Sequence, residues 1–173
     1  MRKLSLFTLV AVLSFFNSLA VAQELERFVR YSQGDGEIHW GMVHDDEVYQ
    51  LAGAPYETME HTGTKFMRNE VRMEAPVDPK LVFMTALNFR SHITGEPAEY
   101  PGLFIVPASS IVGPEDAIIR PAESENLHYE AEMAVVIGKR AENVSVDEAN
   151  EYIFGVTAGN DVSERAWQSG DIQ

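Results

Sequence analysis

The sequence predicts an α+β chain that is mainly β. Three observations lead there. Short aromatic and β-branched runs are separated by acidic or Gly-containing turns. Later apolar pieces are punctuated by Pro107, Pro114 and Pro121. One segment alone, Ser145 to Gly155, has helical spacing.

At 173 residues the chain fits one domain, or one domain with a small extension. Hydrophobic residues make up 45% and charged residues 23%, enough apolar material for a core. Thirteen Lys and Arg stand against 27 Asp and Glu, a formal charge of −14. That field repels phosphate backbones and anionic membrane surfaces, so no nucleic acid is expected as a partner.

The N-terminus opens with Arg2 and Lys3, runs apolar from Leu4 to Phe16, and reaches Ala20-Val21-Ala22. This is the layout of a signal peptide over residues 1–22, with an uncleaved anchor as the competing reading. Cleavage implies an exported chain, periplasmic or secreted, with no stable membrane span left. With zero Cys, a lipid-anchored form is excluded and no disulfide can staple the fold.

From Gln23, "RFVRYS", "IHWGMV" and "EVYQLA" read as a β-meander, split by "QGDGE" and by His44-Asp45-Asp46-Glu47. Ala54 to Glu74 has no clean period and is expected as a loop with at most one helical turn. "APVDPK" carries two prolines and ends an N-terminal meander domain, 23–75. Leu81 to Leu87 is the next strand, followed by a Gly/Pro loop, "NFRSHITGEPAEYPG", and a short apolar run from Leu103 to Val106.

"LHYEAEMAVVIG" (Leu127 to Gly138) reads as one buried strand. In it Glu130 and Glu132 share a face, roughly 7 Å apart. Ser145-x-x-Glu148 is a capping box that opens the expected helix, ending near Gly155. Gly155 to Ala158 then forms a strand stopping at Asn160-Asp161.

A strand–helix–strand unit brings Glu130, Glu132 and Asp161 toward one sheet. Three converging carboxylates repel one another unless a cation sits among them. Oxygen ligation without Cys suits Mg²⁺, Mn²⁺ or Ca²⁺ and not zinc. The bland reading is an exposed strand entrance, and for His92 a surface histidine in a loop.

Tyr129-Glu130-Ala131-Glu132, followed by "MAVVIGKRAENVSVDEANEYIFGVTAGNDVSERAWQ", closely resembles the fumarylacetoacetate hydrolase family. "LNFRSH" and "SSIVGP" resemble that family's segments in the same order, and the meander resembles its small N-terminal domain. The resemblance implies a mixed β-roll of the family's C-terminal-domain type over 76–173, incomplete here, and a homodimer when full length. It implies Glu130, Glu132 and Asp161 as ligands of Mg²⁺ (or Mn²⁺). It also implies His92 as the residue that activates water with a loop Glu, and Arg165 and Gln168 near a small oxo-acid substrate.

On that basis the expected activity is metal-dependent C–C hydrolysis of a β-diketo or 2-oxo acid such as an acylpyruvate. The alternatives are isomerisation or decarboxylation of 2-oxo dicarboxylic acids, or a catalytically inactive truncated fragment. Arg165 has two equal readings, a partner for the substrate carboxylate or a structural ion pair with a neighbouring acid. Three departures qualify the match. Gly95 stands three residues after His92, where relatives carry the loop Glu, so Glu96 falls one place late and Glu99 later still. Val106 replaces a Lys common in relatives. The chain ends at "SGDIQ", where relatives continue.

Overall fold

The computed structural model describes residues 25–34 and 36–168. The leader expected at 1–22 and the closing "SGDIQ" lie outside the described residues. Eleven strands are present among those described, with short 3₁₀ turns and a single four-residue α-helix.

β1 (Arg27–Ser32), β2 (Ile38–His44) and β3 (Glu47–Leu51) form the expected meander. The residues between β2 and β3 turn with Asp45 at φ 52°, a left-handed conformation that Asp tolerates well. β4 (His61–Met67) and β5 (Arg72–Met73) complete an antiparallel sheet in the order β4-β3-β2-β1-β5. These two strands correct the expectation of a loop over Ala54 to Glu74. "HTGTKFM" lacks an apolar alternation because β4 is an edge strand, with Phe66 its one half-buried residue.

Pairing sets the faces of this sheet. Tyr31 lies opposite Met73, and Val48 opposite Phe66. Tyr31, Val48, Val71 and Met73 are buried together, with Val29, Val43 and Phe66 packed against them. Burying one such side chain contributes about 1.5–3 kcal/mol. Gly41 sits on this face because the neighbours leave no room for a side chain. A Cβ there would stand 2.6 Å from Val48 Cγ1, 3.1 Å from Tyr31 Cε1 and 3.2 Å from the Tyr49 carbonyl oxygen.

The other face of the sheet carries Phe28, Arg30 and Trp40, and it meets the second half of the chain. The Arg30 guanidinium donates to the carbonyls of Ala75 (3.2 Å) and Val77 (3.0 Å) and lies over the Trp40 ring. The Phe154 ring lies tilted against that of Phe28 at 5.3 Å and edge-to-face with that of Tyr56 at 5.7 Å. Arg68 pairs with Glu115 at 2.9 Å, while Arg72 bridges Glu74 and Asp116. Ser32 adds a hydrogen bond of 2.6 Å to Glu74.

Beyond the linker, β6 (Val82–Ala86) pairs with β7 (Gly102–Val106). β8 (Leu127–His128) pairs with β11 (Ser163–Glu164), and β9 (Ala131–Ile137) with β10 (Ile153–Asn160). α1 (Arg165–Gln168) follows β11 directly. Each of these sheets has two strands and remains open. Phe83, Leu103, Met133 and Val156 are each more than 60% exposed. This is the mainly β, incompletely closed architecture the resemblance implied.

Three expectations are corrected. The expected helix of Ser145 to Gly155 is a turn followed by a 3₁₀ segment, Ala149–Tyr152. Its capping contact does form, with Ser145 Oγ donating to Glu148 at 2.6 Å, but Val146 points to solvent at 91% exposure. With no surface to bury an apolar stripe against, a short helix is not maintained. Second, β9 and β10 are therefore antiparallel neighbours, not strands joined by a crossover. Third, Leu127 to Gly138 is not one buried strand. It breaks at Tyr129-Glu130 into β8 and β9, which pair with different partners, and Met133 and Ile137 are exposed. Among the described residues no helix is long and apolar enough to cross a membrane.

Two outcomes follow from this packing. Gly41→Ala should lower stability by about 1–3 kcal/mol, since the added methyl meets a backbone oxygen as well as two core side chains; chemical denaturation measures it. Ser32 and Arg72 hold the Glu74 carboxyl below its ordinary range; the Gly113 N–H, aided by Arg72, does the same for Asp116, and Arg68 does so for Glu115. Groups with depressed values stabilise the fold above the ordinary carboxylate range and lose that contribution as pH falls through the depressed values. The unfolding midpoint should therefore drop from about pH 4.5 downward. Glu74→Gln should flatten that dependence, and an unchanged slope in the variant would rule out Glu74 as a source.

Candidate active site

β9 and β10 position the predicted carboxylates through their register. Glu132 lies opposite Gly159 and Ala131 opposite Asn160, so the entrance of β9 meets the exit of β10. Two hydrogen bonds then tie Glu130 in place. Its N–H donates to Asn160 Oδ1 at 3.1 Å, and its carbonyl accepts from the Asp161 N–H at 2.9 Å. Glu130, Glu132 and Asp161 are all half-buried, while Ala131 between the two glutamates is exposed. Burial pushes the Asp161 carboxyl above its ordinary value.

The segment after Asp161 folds back along the chain before Glu130. The β8–β11 pairing starts this return, and the Arg165 N–H donates to the Asn126 carbonyl at 2.9 Å. Glu164 secures it: the carboxylate accepts from the hydroxyl of buried Ser124, from the Asn126 N–H at 3.0 Å and from the Ala166 N–H at 3.1 Å. Arg120 closes the loop by donating from Nε to the Ser124 carbonyl at 3.1 Å. With Ser124 as the leading cause, these donors hold the Glu164 carboxyl low.

This fold-back delivers the Arg165 guanidinium onto the Glu130 carboxylate, with 29% and 23% of the two side chains exposed. Arg165 also donates from Nη1 to Gln168 Oε1 at 2.7 Å. A structural ion pair with a neighbouring acid, the second of its two readings, is thus present. Asn160 and Glu164 position the site but have no role in the sequence reading. Asn160 was legible only as a strand end, and no periodicity marks Glu164.

The predicted convergence of three carboxylates holds for the backbone and not for the side chains. Among the described residues, no three His, Asp or Glu side chains stand close enough to hold one ion. The Glu130 carboxylate is paired with Arg165. In residue type alone the three carboxylates match an oxygen-liganded divalent cation; their side chains are not gathered to hold one. Their backbone is stitched together, and Asp161 is half-buried with no side-chain partner among the described residues.

His92 sits elsewhere, in the 3₁₀ turn Arg90–His92 after β6, exposed, with its ring 6.2 Å from that of Phe89. Glu96 and Glu99 are exposed in the loop that follows. Among the described residues, no hydrogen bond, ion pair or ring contact joins these three to the carboxylates of β9 and β10. A cavity of about 220 Å³ lined by Arg30, Ile38, Glu74, Val112, Gly113 and Asp116 marks the junction with the N-terminal sheet and shares no residue with this cluster.

Residues 81–172 match the family described as "Fumarylacetoacetate (FAA) hydrolase C-terminal", and residues 26–76 match "Rv2993c-like, N-terminal". The chain is 34% identical over 148 residues to Protein Rv2993c of Mycobacterium tuberculosis, spanning 84% of this chain and 55% of that protein. It is 40% identical over 105 residues to the mitochondrial oxaloacetate tautomerase Fahd2a of Rattus norvegicus, 58% of this chain and 34% of the relative. Among solved structures, 2-hydroxyhepta-2,4-diene-1,7-dioate isomerase from Mycobacterium marinum superposes with a TM-score of 0.76 at 31% identity, over 86% of this chain and 59% of the other. The chain spans between about a third and three fifths of these relatives' lengths. With more than half of its residues inside the first match, the chain belongs to the fumarylacetoacetate hydrolase family.

Proposed function

We propose that this chain serves an enzyme that isomerises small 2-oxo dicarboxylic acids, using Glu130, Glu132 and Asp161 to hold Mg²⁺ or Mn²⁺. The observation that supports the reading is the stitched end of the β9–β10 hairpin, which carries the half-buried Glu130, Glu132 and Asp161, with Arg165 on Glu130. That combination suits a substrate with adjacent carbonyl and carboxylate oxygens. When bound, a divalent cation supplies Lewis acidity that favours the enol form of such a substrate. In this reading Arg165 pairs with a substrate carboxylate and Gln168, one turn on, orients it. The relatives named as a tautomerase and an isomerase support this choice among the family's reactions.

Hydrolysis of an acylpyruvate is the second reading, and His92 in its Gly/Pro loop is the observation that favours it. Imidazole is the usual group to take a proton from water so that hydroxide attacks a distal carbonyl. Glu96, one place later than in relatives, weakens the pairing this reaction needs. Export to the periplasm or beyond the cell and assembly as a homodimer complete the proposal, supported by the leader-like residues 1–22 and by the family resemblance.

Two experiments test these readings. Mn²⁺ titration followed by electron paramagnetic resonance should show one bound ion. Glu132→Gln should weaken it by about 100-fold or more, since loss of a mere supporting contact costs 10- to 100-fold. Binding indifferent to Glu132 would sink the metal assignment. Oxaloacetate enol–keto conversion assayed against acylpyruvate cleavage separates the two reactions, and His92→Ala should lower only the second. For export, mass spectrometry of protein recovered outside the cytoplasm should give Gln23 as its first residue; an intact Met1 would refute cleavage.

A further inference from the structure

We infer that the N-terminal sheet, β1 to β5, is a separable unit, latched to the second half of the chain by the charged turn at residues 113–116 and able to swing about residues 78–81 when that latch releases. The inference stands apart from any reading of the acidic cluster.

The sheet carries its own core. Among the described residues, every buried hydrophobic side chain lies between Tyr31 and Met73. The side chains packed against that core, Val29, Val43 and Phe66, come from the same sheet. The joint to the second half is built differently. Phe28 and Phe154 are only half-buried where they meet, and Tyr56 is exposed. The cavity of about 220 Å³ also lies between the two parts, so packing across the joint is incomplete. Joints within a chain permit relative motion unless they are large and apolar.

The turn supplies the grip. It closes on itself, with the Asp116 N–H donating to the Gly113 carbonyl at 3.1 Å and the Gly113 N–H donating to the Asp116 carboxylate. Buried Gly113 presses on the chain after β5, where a Cβ would stand 2.9 Å from the Ala75 nitrogen and 3.0 Å from the Glu74 carbonyl carbon. From this seat Glu115 reaches Arg68 at 2.9 Å and Asp116 reaches Arg72. All four side chains are between 33% and 44% exposed, open to water and to screening by salt.

The contacts also locate the hinge. Arg30 donates to the Ala75 and Val77 carbonyls, which keeps the linker on the sheet as far as Val77. From Asp78 the hold is lost: its carboxylate is 3.9 Å from Arg30 and largely exposed, as are Lys80 and Leu81. A few such loop residues suffice for a hinge. Phe154 belongs to the other part, because a Cβ on Gly138 would stand 2.7 Å from Phe154 Cβ. Release therefore draws Phe154 away from Phe28 and Tyr56 and uncovers the aromatic face of the sheet.

The test uses the full chain, which has no native cysteine. Thr64→Cys on β4 and Asp147→Cys in the turn before β10 are both at exposed positions and put one spin label on each part. Pulsed electron resonance on labelled chain diluted with unlabelled chain then reads the distance within one molecule. At low salt one distance should dominate. In about 1 M NaCl, where the Debye length is about 3 Å, a second and broader distribution should appear. Its ratio to the docked form should rise about 3- to 30-fold, the range for losing two part-exposed pairs. Glu115→Gln combined with Asp116→Asn should raise the same ratio at low salt and leave little further response to salt. Exchanging charges, Arg68→Glu with Glu115→Arg, should restore the docked distance that either change alone weakens.

A distance that moves neither with salt nor with the neutralised pair, but opens in Phe154→Ala, would mean an apolar joint and overturn the latch. Hydrogen exchange under the same conditions decides whether the unit is separable. β1 to β5 should stay protected while the second distance grows, and loss of their protection in step with it would mean unfolding and would overturn the inference. Should the neutralised pair fail to fold, the salt series on the labelled chain and the charge exchange still decide.

Discussion

The antiparallel pairing of β9 with β10 is the constraint on which most of this chain depends. Its register changes between Ile153 and Gly155, leaving Phe154 as the extra residue of a bulge. That bulge sends the Phe154 ring onto Phe28 and Tyr56, which seats the N-terminal sheet. At the other end the same ladder carries Asn160 and Asp161 to Glu130. One hairpin thus fixes an apolar joint at one end and the acidic cluster at the other. A one-residue slip would turn Glu132 to the opposite face and lose both.

Charge is managed locally in this acidic chain. Each inward-leaning carboxylate of the junction has a named donor: Glu74 has Ser32 and Arg72, Asp116 has Arg72, and Glu115 has Arg68. Glu164 is satisfied by Ser124 and by main-chain N–H groups. Against that pattern Glu132 and Asp161 stand out as half-buried carboxylates without such donors among the described residues. Burying an unpaired carboxylate is costly, and the raised Asp161 value is the mark of it.

Much of the meander was legible in the sequence because β1 to β3 are rich in aromatic and β-branched residues and are bounded by Asp- and Gly-containing turns. β4 was not, since an edge strand with one buried residue carries no period. The false helix at Ser145 to Gly155 shows the opposite failure. Its capping box is a local signal, and the Ser145–Glu148 contact does form, but helices of this length are held by tertiary packing that Val146 does not find. At the site, the spacing Glu130-x-Glu132 and the position of Asp161 after a strand were readable. The guanidinium on Glu130 was not, because it depends on the return of β11 along β8, a long-range pairing of two residues with no sequence mark.

That return also explains why Arg165 and Gln168 matter as a pair. Both lie on α1, a single turn too short to stand alone, so the Asn126 carbonyl and the Glu164 carboxylate define where it begins. Residues three apart on such a turn face the same side, and the Arg165–Gln168 hydrogen bond follows from that spacing. The guanidinium is therefore held by a neutral acceptor that moves with it and by an anionic acceptor on another element. The Glu130–Arg165 ion pair in this way joins the exit of β10 to the return of β11, anchored by Asn160 on one side and by Glu164 on the other.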